Sequence, residues 1–298
     1  ADIISEQPEG TKVSYSRSGY AYVNSYFDIY STEVSGALGS VVFGADNKVY
    51  FKDIASQYAA DAWVVGTVSG NKITISLPQT IWDSGRGYCI EVAKMAYDKD
   101  NGTYVRAADQ TVTLNYNATT GTISTPSRSD LASGYEIIGL SYDDDLTWAG
   151  YGDWNVTYEK VTDSLVEAPA DLKTATYALT ADGFDGSLVQ VGFSGDDVYV
   201  QGIDKNLPDS WHKGTVNGNK VTFKSGQYVG ADEVAGSHQY LFSATAERKY
   251  DDYYEEYYTE YTLSDADITF DYDATTKILS NSSLFQIEIG RASCRERV

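Results

Sequence analysis

The residues best equipped for chemistry in this chain are carboxylates and tyrosines. Its 298 residues hold 43 Asp plus Glu and 26 Tyr, against only two His, His212 and His238. Two acids about 5–10 Å apart are the machinery of glycoside hydrolysis, but the sequence singles out no such pair. Asp98, Asp100 and Asn101 have a calcium-like spacing, and Asp143, Asp144 and Asp145 form an acidic run. The Asp98 cluster lacks the later acidic ligand of an EF-hand loop, and solvated turns account for both stretches. Two His cannot build a His-rich metal cluster. Cys89 lies on an apolar strand, in register with Leu241, and has no recognisable base beside it. G-x-S-x-G, the P-loop and H-E-x-x-H are absent. No catalytic residue, metal or cofactor is therefore expected.

The second kind of chemistry is contact. Residues 250–261 read Y-D-D-Y-Y-E-E-Y-Y-T-E-Y, six Tyr interleaved with five carboxylates. A long hairpin with cross-strand Tyr pairs explains this run structurally. An exposed platform explains it functionally, because Tyr offers a rigid ring with a polar tip, suited to a glycan or a protein surface. The expected contact residues are Tyr253, Tyr254, Tyr257 and Tyr258, joined by Trp148, Tyr151 and Trp154 near the tip of another hairpin. Trp63 and Trp211 each stand three residues before Gly-Thr-Val and are expected to anchor the core instead.

The elements that carry these residues read as antiparallel strands. Val221 and Phe223 alternate with Lys220, Thr222 and Lys224; Ile268, Phe270 and Tyr272 alternate with Asp267, Thr269 and Asp271. A period of two gives one buried and one wet face. Gly70-Asn71, Gly218-Asn219, Asp100-Asn101-Gly102 and residues 118–121 punctuate the runs as hairpin turns. No segment shows an extended helical period.

The chain also matches itself. Residues 49–75 and 198–223 share Trp63 with Trp211, Gly66 with Gly214, and Gly70-Asn71-Lys72 with Gly218-Asn219-Lys220. The match continues through Gln79 with Gln227, Tyr88 with Tyr240, and N-Y-N-A-T-T-G with D-Y-D-A-T-T-K. Side-chain bonds to turn backbone explain the Asn and Asp of that last motif without a metal. The expectation is two tandem β-modules, 1–163 and 164–288, each a meander of eight to ten strands. Sheets of that size curl into a barrel or strongly curled meander, with a β-sandwich as the alternative.

Charge and termini bound the partners. The formal charge is −21, which disfavours nucleic acid and anionic lipid, and no apolar run approaches the roughly 20 residues of a membrane span. Residues 289–298, I-G-R-A-S-C-R-E-R-V, break the acidic pattern with three Arg. They back-translate codon by codon to a common sequencing adaptor and are read as non-native, which shifts the charge to −23 once three Arg and one Glu are removed. Cys294 falls there, leaving Cys89 without a disulfide partner. The second module is accordingly expected to be truncated, lacking its closing hairpin. The start at Ala1 without Met is read as a cleaved signal peptide, with a fragment that begins inside a longer protein as the alternative.

The pattern of residues 198–228, V-Y-V-Q-G-I through L-P-D-S-W-H-K-G-T-V-N-G-N-K-V-T-F-K-S-G-Q-Y, resembles uncharacterised tandem-repeat proteins of gut Bacteroidales. The opening I-I-S-E-Q-P-E-G is similar to the start of their mature chains. That resemblance implies a secreted or surface-attached protein and transfers no catalytic residue. The expected function is non-enzymatic: an extracytoplasmic binding or surface-scaffold protein that contacts glycans or host or surface proteins. The alternatives are a carboxylate glycoside hydrolase and a lipocalin-like carrier with an apolar barrel interior.

Overall fold

A computed structural model describes residues 2–25, 28–127, 135–181, 184–281 and 284–289. The chain forms two compact units, residues 1–161 and 162–298. The described residues contain strands and turns, with no helix among them and none therefore long and apolar enough to cross a membrane.

The first unit holds β1 (Thr11–Asn24), β2 (Ile29–Phe43), β3 (Lys48–Lys52), β4 (Trp63–Ser69), β5 (Lys72–Ser76), β6 (Gln79–Asp83), β7 (Cys89–Asp98), β8 (Thr103–Arg106), β9 (Thr111–Tyr116), β10 (Ile123–Ser124), β11 (Glu136–Tyr142) and β12 (Trp148–Lys160). Eight of these close a barrel in the order β1-β2-β3-β4-β5-β9-β10-β12, and every neighbouring pair is antiparallel. The other four make a side sheet in which β7 carries β6 and β8 along one edge and β11 along the other.

The second unit holds β13 (Thr174–Ala181), β14 (Phe184–Ser194), β15 (Asp197–Gln201), β16 (Trp211–Asn217), β17 (Lys220–Phe223), β18 (Gln227–Asp232), β19 (Ser237–Asp251), β20 (Glu256–Ser264), β21 (Ile268–Asp273), β22 (Ile278–Asn281) and β23 (Leu284–Ile289). Its barrel closes with seven strands, β13-β14-β15-β16-β17-β21-β22. The side sheet again centres on one strand, with β19 pairing β18, β20 and β23. Both units are thus barrels, not sandwiches. Among the described residues they hold twelve and eleven strands instead of eight to ten, because each meander detours into a side sheet before returning to its barrel.

Closure differs for a reason of parity. Strands that alternate in direction close antiparallel only when their number is even. Seven strands leave one parallel contact, and it is β13 against β22. In the first unit β12 stands between the corresponding strands and runs antiparallel to both β1 and β10.

The interiors are packed by every second side chain. Ile73 and Ile75 of β5, Val112 and Leu114 of β9, and Phe51 of β3 are fully buried in the first barrel. Val221 and Phe223 of β17 meet Ile268 and Phe270 of β21 in the second. Each such large side chain contributes roughly 1.5–3 kcal/mol of burial. A Cβ on Gly66 would stand 2.9 Å from the Thr74 carbonyl oxygen, and one on Gly214 2.6 Å from that of Thr222. Both sites therefore need glycine where adjacent strands press together.

A clamp recurs at both barrel exits. The Gln79 amide accepts from Val65 N (2.8 Å) and donates to Val65 O (2.7 Å) and Ser76 O (3.0 Å). Gln227 does the same with Lys213 N (3.0 Å), Lys213 O (2.8 Å) and Lys224 O (3.2 Å). Each clamp ties the start of the side sheet to an adjacent barrel strand.

Candidate functional site

The tyrosine-rich run folds as a two-stranded ribbon. β19 and β20 pair antiparallel from Ser243 opposite Ser264 to Asp251 opposite Glu256. Up to Ala244, β19 is buried; beyond it the ribbon is solvated on both sides, and β20 is exposed from Glu256 to Thr262. Its order comes from local contacts. The Asp251 carboxylate accepts from the backbone N–H of Tyr253 (2.8 Å) and Tyr254 (3.1 Å) and so closes the turn. The rings of Tyr250 and Tyr257 meet edge-on at 4.9 Å. The Arg248 guanidinium lies 4.1 Å from the centre of the Tyr257 ring, a cation–π contact worth about 0.5–1 kcal/mol when exposed.

Alternation sorts the ribbon into two unlike faces. Tyr250, Tyr257 and Tyr261 share one face with Arg248, Ala246 and Thr259. Glu247, Lys249, Asp251, Glu256, Tyr258 and Glu260 share the other. Lys249 pairs with Glu247 and Glu260 there, and the Glu260 hydrogen bond holds its ammonium above the usual lysine range. Tyr253 and Tyr254 stand at the tip, 85% and 70% exposed. The four tyrosines expected from sequence are all exposed, but Tyr258 stands on the charged face. Tyr250 and Tyr261, 48% and 46% exposed, complete the aromatic face. Their place follows from the register, which counting back from the turn at Asp251 would have given.

The tryptophans expected at the other tip are not surface residues. Trp148 and Trp154 are 9% and 3% exposed and belong to the first unit's core. β12 starts at Trp148 itself, so the segment is a strand shared by barrel and side sheet and turns its indoles inward. The Trp148 indole N–H donates to Tyr151 O (2.9 Å), and its ring packs 4.9 Å from Tyr104. Tyr151 is half-buried against Tyr58. Trp63 is buried, and its counterpart Trp211 is half-buried; each is bridged by an N-terminal residue of its own unit, Ile4 or Val166.

The titratable groups serve packing. Burial raises the pKa of Asp53 and Asp153, the behaviour sought in a hydrolytic pair. Both already accept backbone hydrogen bonds. Asp53 accepts from Ala60 N and Ala62 N at 3.0 and 3.3 Å. Asp153 accepts from Ser56 N at 3.0 Å and faces Arg17 at 3.6 Å. Arg17 in turn donates to the carbonyls of Asp53 and Ile54 and to the Tyr158 hydroxyl. The cluster fastens the loop between β3 and β4 over the barrel.

Asp98 bonds the turn amides of Asp100 and Asn101. Asn117 and Asp273 cap their turns in the same way. Among the described residues no group of three acids, His or Cys could hold a metal. Two open grooves of about 620 Å³ are present, one beside Asn219, Asp271 and Ser280, the other beside Lys48, Thr67 and Gln79. Neither contains Asp53, Asp153 or a ribbon residue.

Pairing also corrects one alignment. Gln79 faces Val92 and Gln227 faces Leu241, with a bulge following in each strand. Leu241 therefore corresponds to Val92 and Tyr240 to Glu91, so Tyr88 does not match Tyr240 and the counterpart of Cys89 is His238. Cys89 is half-buried, not buried, and its thiol pKa is raised by partial desolvation and by Asp83 and Asp143. His238 is bonded through Nδ1 to the Tyr228 hydroxyl (2.9 Å).

No family model matches this chain, and no curated protein or solved structure matches it significantly.

Proposed function

We propose that this chain is a non-enzymatic binding or scaffold protein, built from two copies of one β-module, that works outside the cytoplasm and grips a glycan or protein surface with the β19–β20 ribbon. One observation carries the reading: Tyr250, Tyr257 and Tyr261 project from a single face of a ribbon that covers no core. Rings already held by a cross-strand contact, as those of Tyr250 and Tyr257 are, lose little freedom on binding, which favours contact through them. The extracytoplasmic setting rests on the resemblance to secreted Bacteroidales proteins. The side chains filling both barrels leave the carrier reading without support, and the internally bonded Asp53 and Asp153 do the same for hydrolysis.

The test is a glycan array together with pull-downs from surface-shaved proteins, comparing the parent with Y250A/Y257A/Y261A. Loss of binding in the triple variant, with retention in Y258A on the charged face, is the expected result. Undiminished binding by the triple variant removes the ribbon from the function.

A further inference from the structure

The seven-stranded barrel closes through one short parallel contact. The β13–β22 contact joins only Ala178–Ala181 with Ile278–Asn281. In the first unit the corresponding β1 instead pairs with β12 from Tyr15 to Val23. The stretch Thr174–Tyr177 of β13 is hydrogen-bonded to β14 but lies beyond the reach of the β22 pairing.

The strands correspond residue by residue. Val13 faces Val41 as Ala175 faces Val191, so Tyr15 matches Tyr177. In the first unit Tyr15 and Arg17 face Lys160 and Tyr158 of β12, and Tyr158 also faces Ile123 of β10. Because β13 and β22 run parallel, one inserted strand runs antiparallel to both. It would replace one short parallel contact with two antiparallel ones, as β12 does in the first barrel.

We propose that the β13–β22 seam is a strand-acceptor site. Its occupant is an extended segment patterned like residues 154–161, with Trp154, Val156 and Tyr158 inward and Asn155, Thr157 and Glu159 outward. The buried alternation of β12 supplies this pattern, and main-chain pairing would supply the affinity. This surface is separate from the ribbon and does not depend on its role.

A fluorescein-labelled peptide of residues 154–161 is the probe, titrated into the full chain by anisotropy. The host carries C89S and C294S together with A178C and I278C, which lie opposite each other in the seam. Reduced, this protein should bind the peptide saturably. Oxidised, the staple should weaken binding by about tenfold or more, and a peptide with Pro at its second and fourth following positions should fail, since Pro removes ladder donors. Equal binding by oxidised and reduced forms, or none by the reduced form at roughly millimolar protein, overturns the proposal. The reduced form of the same variant controls for folding.

Discussion

Leu179 occupies in the second barrel the position that Arg17 occupies in the first. Each lies two residues after the tyrosine, Tyr177 or Tyr15, that sits at the matching place in the ladder. Both side chains are almost fully enclosed, at 1% and 3% exposure. One barrel thus fills this position with hydrocarbon and the other with a charge. The charge brings its partners with it, since Asp153 and Tyr158 both come from β12.

Removing one member of this cluster should be worse than removing both. R17L leaves the Asp153 carboxylate buried beside Ser56 N alone and should lower stability by about 3–5 kcal/mol. The double variant R17L/D153L, which copies the apolar choice of the second barrel, should recover more than half of that. Chemical denaturation followed by tryptophan fluorescence measures both. A double variant no better than R17L would show that the ion pair is not the reason for the loss.

His212 makes the second unit sensitive to acid. The ring lies inside the barrel at the place of Val64, fully buried, and burial lowers its pKa from 6.5 to about 4. Between those values the unfolded chain takes up a proton that the folded chain refuses. Stability contributed by the neutral ring is therefore complete above about pH 6.5 and declines as pH falls toward 4, by up to about 3 kcal/mol. H212V should remove this slope, as seen by comparing denaturation midpoints of the two proteins across that window. Parallel pH profiles would contradict the assignment.

The two glutamine clamps should differ in strength. Gln79 is more enclosed than Gln227, whose bonds are exposed to water. Q79A should cost about 1–2 kcal/mol and Q227A less than about 1, because stranded backbone groups are penalised most where water is excluded. Thermal unfolding of the single variants ranks them, and the reverse order would refute the argument.

Burial also separates the aromatic residues that composition groups together. W154A should cost about 3–5 kcal/mol, whereas Y257A should stay within about 0.5 kcal/mol of the parent. Urea denaturation of both variants checks this contrast. A large loss in Y257A would mean that the ribbon is bound into the fold after all.

Much of the fold was legible because two signals are local. Alternation at Val221, Phe223, Ile268 and Phe270 marks strands directly, and Gly70, Gly102, Gly121 and Gly218 all take the positive φ their turns require. Errors arose where the answer depends on register. Trp148 and Trp154 follow an acidic turn, so the sequence places them near a tip; only the pairing of β12 on both edges turns them inward. The match of Tyr88 with Tyr240 carried Cys89 onto Leu241, a slip of three residues that only the pairing of β6 with β7 and of β18 with β19 reveals. Arg17 left no trace at all, since its carboxylate partner lies more than a hundred residues away. The reading of residues 289–298 as non-native takes in Ile289, which ends β23 opposite Gln239; the rest of that stretch lies outside the described residues.

The ribbon beyond Ala244 rests on no hydrophobic foundation. Its equivalent in the first unit, β7 with β8, shows how short the same hairpin is elsewhere, with Asp98 already opposite Thr103 at its end. Lengthening, trimming or rewriting such an outgrowth leaves the barrel's folding problem unchanged. The hairpin can therefore change in length and sequence while the staves beneath it stay fixed.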